Sequence, residues 1–244
     1  MSVIGLFILS IAAGWLINIA ADVLPTKQTS KMTWAAPLWA LPIGLRSQLA
    51  VVLPQRPMVK SGQIVSLRRY RVVFAATLLL GLLALFQADS FATQLVLAVQ
   101  AWFFLTVAVI DLEHRLVLNR MLVAALPFVA LANLLNGTPS LISMMLGGVA
   151  GFGFFLLLAV LAPGAMGMGD VKLAGFIGLV TGLSGVVAAL FLGILAGGIA
   201  GLVVLIRNRF RRGNTLAYAP YLVLGAWLFL FRIFETLHIF LERL

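Results

Sequence analysis

Two aspartates in this sequence stand at the edges of long apolar runs. Asp111 follows WFFLTVAVI and opens DLEHRLVLNR, and Asp170 closes the glycine-spaced GAMGMGD ahead of VKLAGF. A charged side chain costs roughly 2.5–3.5 kcal/mol at the bilayer centre on insertion scales and less near the edge, so carboxylates kept there point to a task. Two carboxyl groups held together cannot both ionise easily and share one proton over a wide pH range. The ionised member can draw a proton from water while its protonated partner polarises a carbonyl. That division of labour hydrolyses a peptide bond with no metal and no covalent intermediate. Glycines at 164, 167 and 169 suit such a site, because they widen the backbone's choices and let an extended peptide approach closely. A lone GMGD is equally well a loop ending in a helix cap, and only the second carboxylate at the same depth sharpens it.

The other ionisable groups read differently. Asp22, Asp89, Glu235 and Glu242 lie near span ends or in terminal segments, as interfacial charges, and Glu113 is expected to pair with a nearby arginine. His114 shares the Asp111 face if that helix continues three more residues. With two histidines and no cysteine, a multi-histidine or thiolate metal centre is unsupported.

The elements that must position these residues follow from composition. Hydrophobic residues make up 63% of the 244, charged residues 10%, and mean hydropathy is +1.14, so lipid must be the solvent for most of the chain. The expected fold is all-α: a polytopic membrane protein of about eight transmembrane helices forming a single domain over 1–244. Apolar runs fall at about 3–24, 72–88, 91–110, 116–135, 141–162, 171–183, 185–206 and 217–239. The sixth passes into the seventh through Thr181-Gly182-Leu183-Ser184-Gly185, a tight turn. Segment 33–54 is oily but broken by Pro37, Pro42 and Arg46, and reads as interfacial rather than spanning. The first run lacks a basic n-region and an A-x-A cleavage site, so it is expected to remain as a span.

Fifteen of the seventeen Lys and Arg fall in alternate connections: 25–71, 115–120, Lys172 and 207–212. QADS, NGTPS and TGLSG on the other side carry none. The positive-inside rule puts the basic side in the cytoplasm and both termini in the periplasm. The net charge of +10 thus reflects orientation against anionic lipid, and no nucleic-acid partner is expected.

At four places the sequence resembles the type IV prepilin peptidases, GxGD membrane aspartyl proteases of bacterial pilus and type II secretion systems. GWLINIAADVLP, with Gly14, Asn18, Leu24 and Pro25, is similar to the family's first-span signature. IDLEHRLVLNRM resembles the first catalytic motif, with Asp111, His114 and Asn119. GMGDVKLAGFIG resembles the second, with Gly167, Gly169, Asp170 and Lys172, and LAYAPYLVLGAW resembles the last-span motif, with Pro220 and Gly225. The resemblance implies that Asp111 and Asp170 are catalytic, with Gly167, Gly169, Lys172, His114, Asn119, Asn18 and Pro220 in supporting places. It implies cleavage of a prepilin or pseudopilin after a glycine ending a basic leader, at the cytoplasmic face of the inner membrane. Many members then methylate the new N-terminus with S-adenosylmethionine.

Two departures matter. The loop at about 25–70 lacks the paired CxxC motifs expected to bind zinc in many relatives, which rules out zinc there and puts methylation, with its S-adenosylmethionine, in doubt. The first motif reads Leu118-Asn119 without the usual proline, so its loop is expected to be more helical. A proton-coupled transporter fits less well, because both acids lie at one membrane face and no internal repeat is evident. An archaeal-type preflagellin peptidase is the nearer alternative. Single-cysteine labelling is clean in this cysteine-free chain. A cysteine at Thr138 should react from the periplasm, and reaction only from the cytoplasm would overturn the topology.

Overall fold

Apolar runs long enough to cross a bilayer must satisfy their backbone hydrogen bonds internally, which dictates helices. The structure, a computed structural model, describes residues 2–29, 59–60, 63–64, 67–87, 90–137, 139–162, 166–207 and 217–232. These hold α1 (Ser2–Thr29), a short antiparallel pair β1 (Val59–Lys60) and β2 (Gln63–Ile64), α2 (Leu67–Gln87) and α3 (Phe91–His114). There follow α4 (Asn119–Asn136), α5 (Leu141–Leu161), α6 (Met168–Arg207) and α7 (Ala219–Leu230). The elements among the described residues are thus all helices apart from the pair of two-residue strands. Five of these helices, α1, α2, α3, α5 and α6, are long and apolar enough to cross a membrane, while α4 and α7 hold shorter apolar stretches. Segment 33–54, Asp89, Thr138, Gly164, Glu235 and Glu242 lie outside the described residues. The chain divides into two compact units, Met1–Ala98 and Val99–Leu244, where the sequence reading takes one domain.

In the first unit α1 packs on α2, and Gly14 permits the contact: a Cβ there would meet Thr77 Oγ1 at 2.8 Å. Asn18, fully buried, donates Nδ2–H to the Gly14 carbonyl at 2.8 Å, so this first-span residue braces the packed turn of its own helix. Asp22 is not the solvated charge expected of it. Its carboxylate accepts from Arg69 Nη2 and from the Tyr70 hydroxyl, each at 2.7 Å, and the Arg69 guanidinium lies 4.6 Å over the Tyr70 ring. One carboxylate thereby ties the ends of two helices together in a geometry that satisfies both of its oxygens.

The second unit is built on a reversal inside α6. Gly182 has φ 72° and ψ 179°, outside helical space. Tyr218 feels the charge of Asp170 near the start of α6 and also packs against Gly197, 27 residues later. A straight helix would hold those two positions about 40 Å apart at 1.5 Å per residue. The chain therefore folds back at Gly182 into two antiparallel halves, as the Thr181–Gly185 run leads one to expect. The break unpairs ladder groups on either side of it, and neighbouring helices take up two of them, the Leu183 N–H and the Leu179 carbonyl. Ser143 Oγ of α5 accepts the Leu183 N–H at 3.0 Å, and Asn133 Nδ2 of α4 donates to the Leu179 carbonyl at 3.2 Å. Neither orphan is left to hydrocarbon, where each would cost several kcal/mol.

Close packing then takes over from the hydrophobic effect, which does not drive helices together in lipid. Gly147 of α5 and Gly178 of α6 approach backbone to backbone, and a methyl at Gly178 would run into the Gly147 carbonyl. Phe104, Phe155, Leu173, Ile177 and Leu222 fill the interior beside them. Ile142, Val149 and Val187 stay mostly exposed on the outside, as a lipid-facing surface requires.

Gly182→Ala should be costly: its φ 72°, ψ 179° fall in a region essentially reserved for glycine, which penalises other residues by roughly 1–3 kcal/mol. An added Cβ would also lie 2.6 Å from Pro139 Cβ. Thermal unfolding in detergent should shift down clearly for Gly182→Ala and hardly at all for Gly198→Ala, which has nothing within 4 Å of the added carbon. Equal shifts would show that the reversal does not depend on glycine.

Candidate active site

Asp111 lies in the last turn of α3, where the negative end of the helix dipole disfavours an anion. It is nonetheless 5% exposed, and its compensation comes from the other end of the sequence. Asp111 Oδ2 accepts the backbone N–H of Ala219 at 3.2 Å. Ala219 is the first residue of α7, so the carboxylate sits on the positive end of a second helix with an unpaired first-turn N–H aimed at it. Pro220 starts that helix with a preset φ and no N–H of its own. Its place in the last-span motif thus has a local physical reason.

Asp170 occupies the first turn of α6, where the dipole favours it. Its Oδ2 accepts the Gly167 N–H at 3.3 Å, while its own N–H donates to the Gly167 carbonyl at 3.0 Å. This reciprocal pair closes the GMGD turn. Neither Gly167 nor Gly169 uses a positive φ, so the glycines are not there for unusual backbone angles. Gly169 serves contact instead: an added Cβ would lie 2.9 Å from Val117 Cβ.

Val117 belongs to the connection between α3 and α4. Residues 115–118 are not helical, contrary to the expectation drawn from the missing proline. Arg115 takes φ 53°, a left-handed conformation that stops α3, and Val117 then seats against Gly169. Beyond it, Asn119 Oδ1 accepts from Lys172 Nζ at 3.0 Å. The two motif segments are thus joined twice, by Val117 on Gly169 and by Lys172 on Asn119.

These contacts bring Asp111 and Asp170 together. Asp170 feels the charge of Asp111, and both face the Tyr218–Ala219 corner, Asp111 through the Ala219 N–H and Asp170 through its field at Tyr218. Tyr218 brings a phenol O–H to the same corner. Two carboxyl groups, a backbone N–H and a phenol make a site able to hold, give and take a proton. Tyr218, Val117 and Ala219 lie inside the quoted motif stretches, but nothing in a single sequence marks them as neighbours of the two aspartates.

Other expected residues lie elsewhere. α3 does continue to His114, yet Asp111 is buried and His114 exposed, so three residues' spacing does not put them in one site. The imidazole Nε2 lies 3.9 Å from Glu113 Oε2. Asn18 belongs to the first unit. Among the described residues no three of His, Asp and Glu gather to hold a metal ion.

The fold and site together define a helical membrane domain in which a buried carboxylate, Asp111, is electrostatically coupled to a half-buried one, Asp170. Residues 98–202 match the model of the type IV leader peptidase family. A prepilin leader peptidase/N-methyltransferase of Bacillus subtilis (strain 168) is 36% identical over 120 residues, 49% of this chain and 48% of the relative. One from Pseudomonas aeruginosa is 28% identical over 132 residues (52% and 46%), and one from Aeromonas hydrophila 26% over 166 (66% and 57%). The chain spans about half the length of the curated relatives it matches. No solved structure matches.

A Gly169→Ala substitution should weaken the site through Val117, and adding Val117→Ala should restore much of the loss. Enzymatic assay and thermal stability of the two singles and the double would check this. An uncoupled, additive pair would show that the contact is incidental.

Proposed function

We propose that the chain is a membrane aspartic endopeptidase that removes the basic leader from type IV prepilins or pseudopilins. What supports this reading is that Asp111, bonded to the α7 N-terminus, and Asp170, 59 positions away in sequence, feel each other's charge. The family match over 98–202 includes both aspartates and supports the leader-peptidase class. Cleavage follows the glycine that ends the leader, on the cytoplasmic side of the inner membrane, while the substrate's apolar helix stays in lipid.

In this mechanism one carboxylate takes a proton from water as its oxygen attacks the scissile carbonyl, and the protonated partner gives its proton to the carbonyl oxygen. The tetrahedral adduct collapses with proton transfer to the departing amine nitrogen, and the carbon–nitrogen bond breaks. The Ala219 N–H keeps one oxygen of Asp111 fixed, so its other oxygen faces the reaction. The Asp170–Gly167 bond orients the second carboxyl in the same way. Methylation is not included: the segment corresponding to the relatives' cysteines falls largely in 30–58, outside the described residues, and this chain has no cysteine.

Asp111→Asn and Asp170→Asn keep shape but remove proton exchange. Each should abolish prepilin processing in membranes at normal expression, and the double variant should be no worse, since members of one unit are strongly non-additive. Asp89→Asn, a carboxylate between the second and third apolar runs, should remain active. Processing by either single variant at a sizeable fraction of wild type would sink the aspartyl reading.

A further inference from the structure

An apolar groove of about 580 Å³ runs between α4, α5 and the first half of α6. Its walls include Val123, Leu126, Val149 and Phe152, and one end is closed by Asn119 and Lys172. Val123 and Val149 are 63% and 70% exposed, so the groove opens sideways to where lipid would lie. Gly148 and Gly175 keep it deep, because α5 and α6 touch there with little side chain between them. From Asn119 to Leu126 is seven residues, about 10 Å of helix, so the groove has room for about two helical turns.

The polar end identifies the occupant. Lys172 lies two residues past Asp170, and Asn119 begins the helix that follows the Asp111 loop. An ammonium has three donors, and the bond described for Lys172 uses one of them, on the neutral Asn119 oxygen. What fits is a chain apolar over two turns and, at the catalytic end, extended enough to offer unpaired carbonyl oxygens to the remaining donors. A phospholipid could bring ester carbonyls to those donors as well, but the polar end lies two residues from Asp170, where only a peptide has a bond to be cut. A fully helical partner offers no such carbonyls, since its own are already paired.

We infer that this groove seats the first turns of the substrate's apolar helix, with Lys172 receiving backbone carbonyls of the unwound junction and so delivering it to the carboxylate pair. The inference deepens the peptidase reading and rests on it. It gives the groove a positioning role: the helix is gripped from the side, and only the segment beyond its end is presented for cleavage.

Disulfide trapping in membranes tests it. Val123→Cys and Val149→Cys are each placed in the full-length chain carrying Asp111→Asn, against a prepilin with one cysteine in the first two turns of its apolar helix. Both should form a heterodisulfide on oxidation. Val187→Cys and Phe191→Cys, which line a separate groove of about 350 Å³ on the second half of α6, should not. Equal trapping at all four positions, enzyme–enzyme disulfides alone, or no trapping at 123 and 149 would each overturn the inference, pointing to non-specific contact, a second copy or lipid. Val149→Trp with Asp111 intact should raise KM for full prepilin at least fivefold, and an unchanged KM would count against the groove. If the unsubstituted chain does not cleave prepilin at all, the peptidase reading itself falls, a result separable from absent trapping in a cleaving enzyme.

Discussion

Hydrocarbon offers no hydrogen bonds, and the second unit depends on how that constraint is met at Gly182. A membrane helix that turns back must expose at least one donor and one acceptor, and here one of each is taken up by Ser143 and Asn133. Because those side chains come from α5 and α4, the reversal also fixes where three helices lie. The first half of α6 is then held with Asp170 at its open end, and the second half runs back to the level of Tyr218. Without the substitution of side-chain for backbone bonds, the same glycine would only be a weak point.

Glycine contacts make the arrangement stiff in a way that large side chains would not. Where Gly147 meets Gly178, main chains touch directly, and there is no flexible atom to absorb a shift. The same holds in part at Gly169, whose missing side chain admits Val117 and draws the loop after Asp111 onto the turn that holds Asp170. Each of the two carboxylates is also held by a main-chain N–H, Asp111 by that of Ala219 and Asp170 by that of Gly167.

Much of this was legible in the sequence, for definable reasons. Long apolar runs mark helices with little ambiguity, and the Thr181–Gly185 stretch marks the reversal because glycine and serine interrupt an otherwise continuous run. Asp111 and Asp170 were legible because a carboxylate at a span edge is costly. Asn119 and Lys172 stood out singly, whereas their bond to each other joins positions 53 apart and leaves no local pattern. Asp22 misled, since its partners Arg69 and Tyr70 lie 47 and 48 residues away. His114 stays on the helix that carries Asp111 but is exposed where Asp111 is buried. The Ala219 N–H could not be read at all, because a main-chain donor has no residue type.

The bond between Asp111 and Ala219 also sets a schedule for biosynthesis. Its partners are 108 residues apart, so the carboxylate emerges from the ribosome well before the N–H that steadies it. At about 5–20 residues per second the gap amounts to about 5–20 s. Throughout that interval Asp111 lacks this main-chain donor, and the bond can form only once the start of α7 has been made.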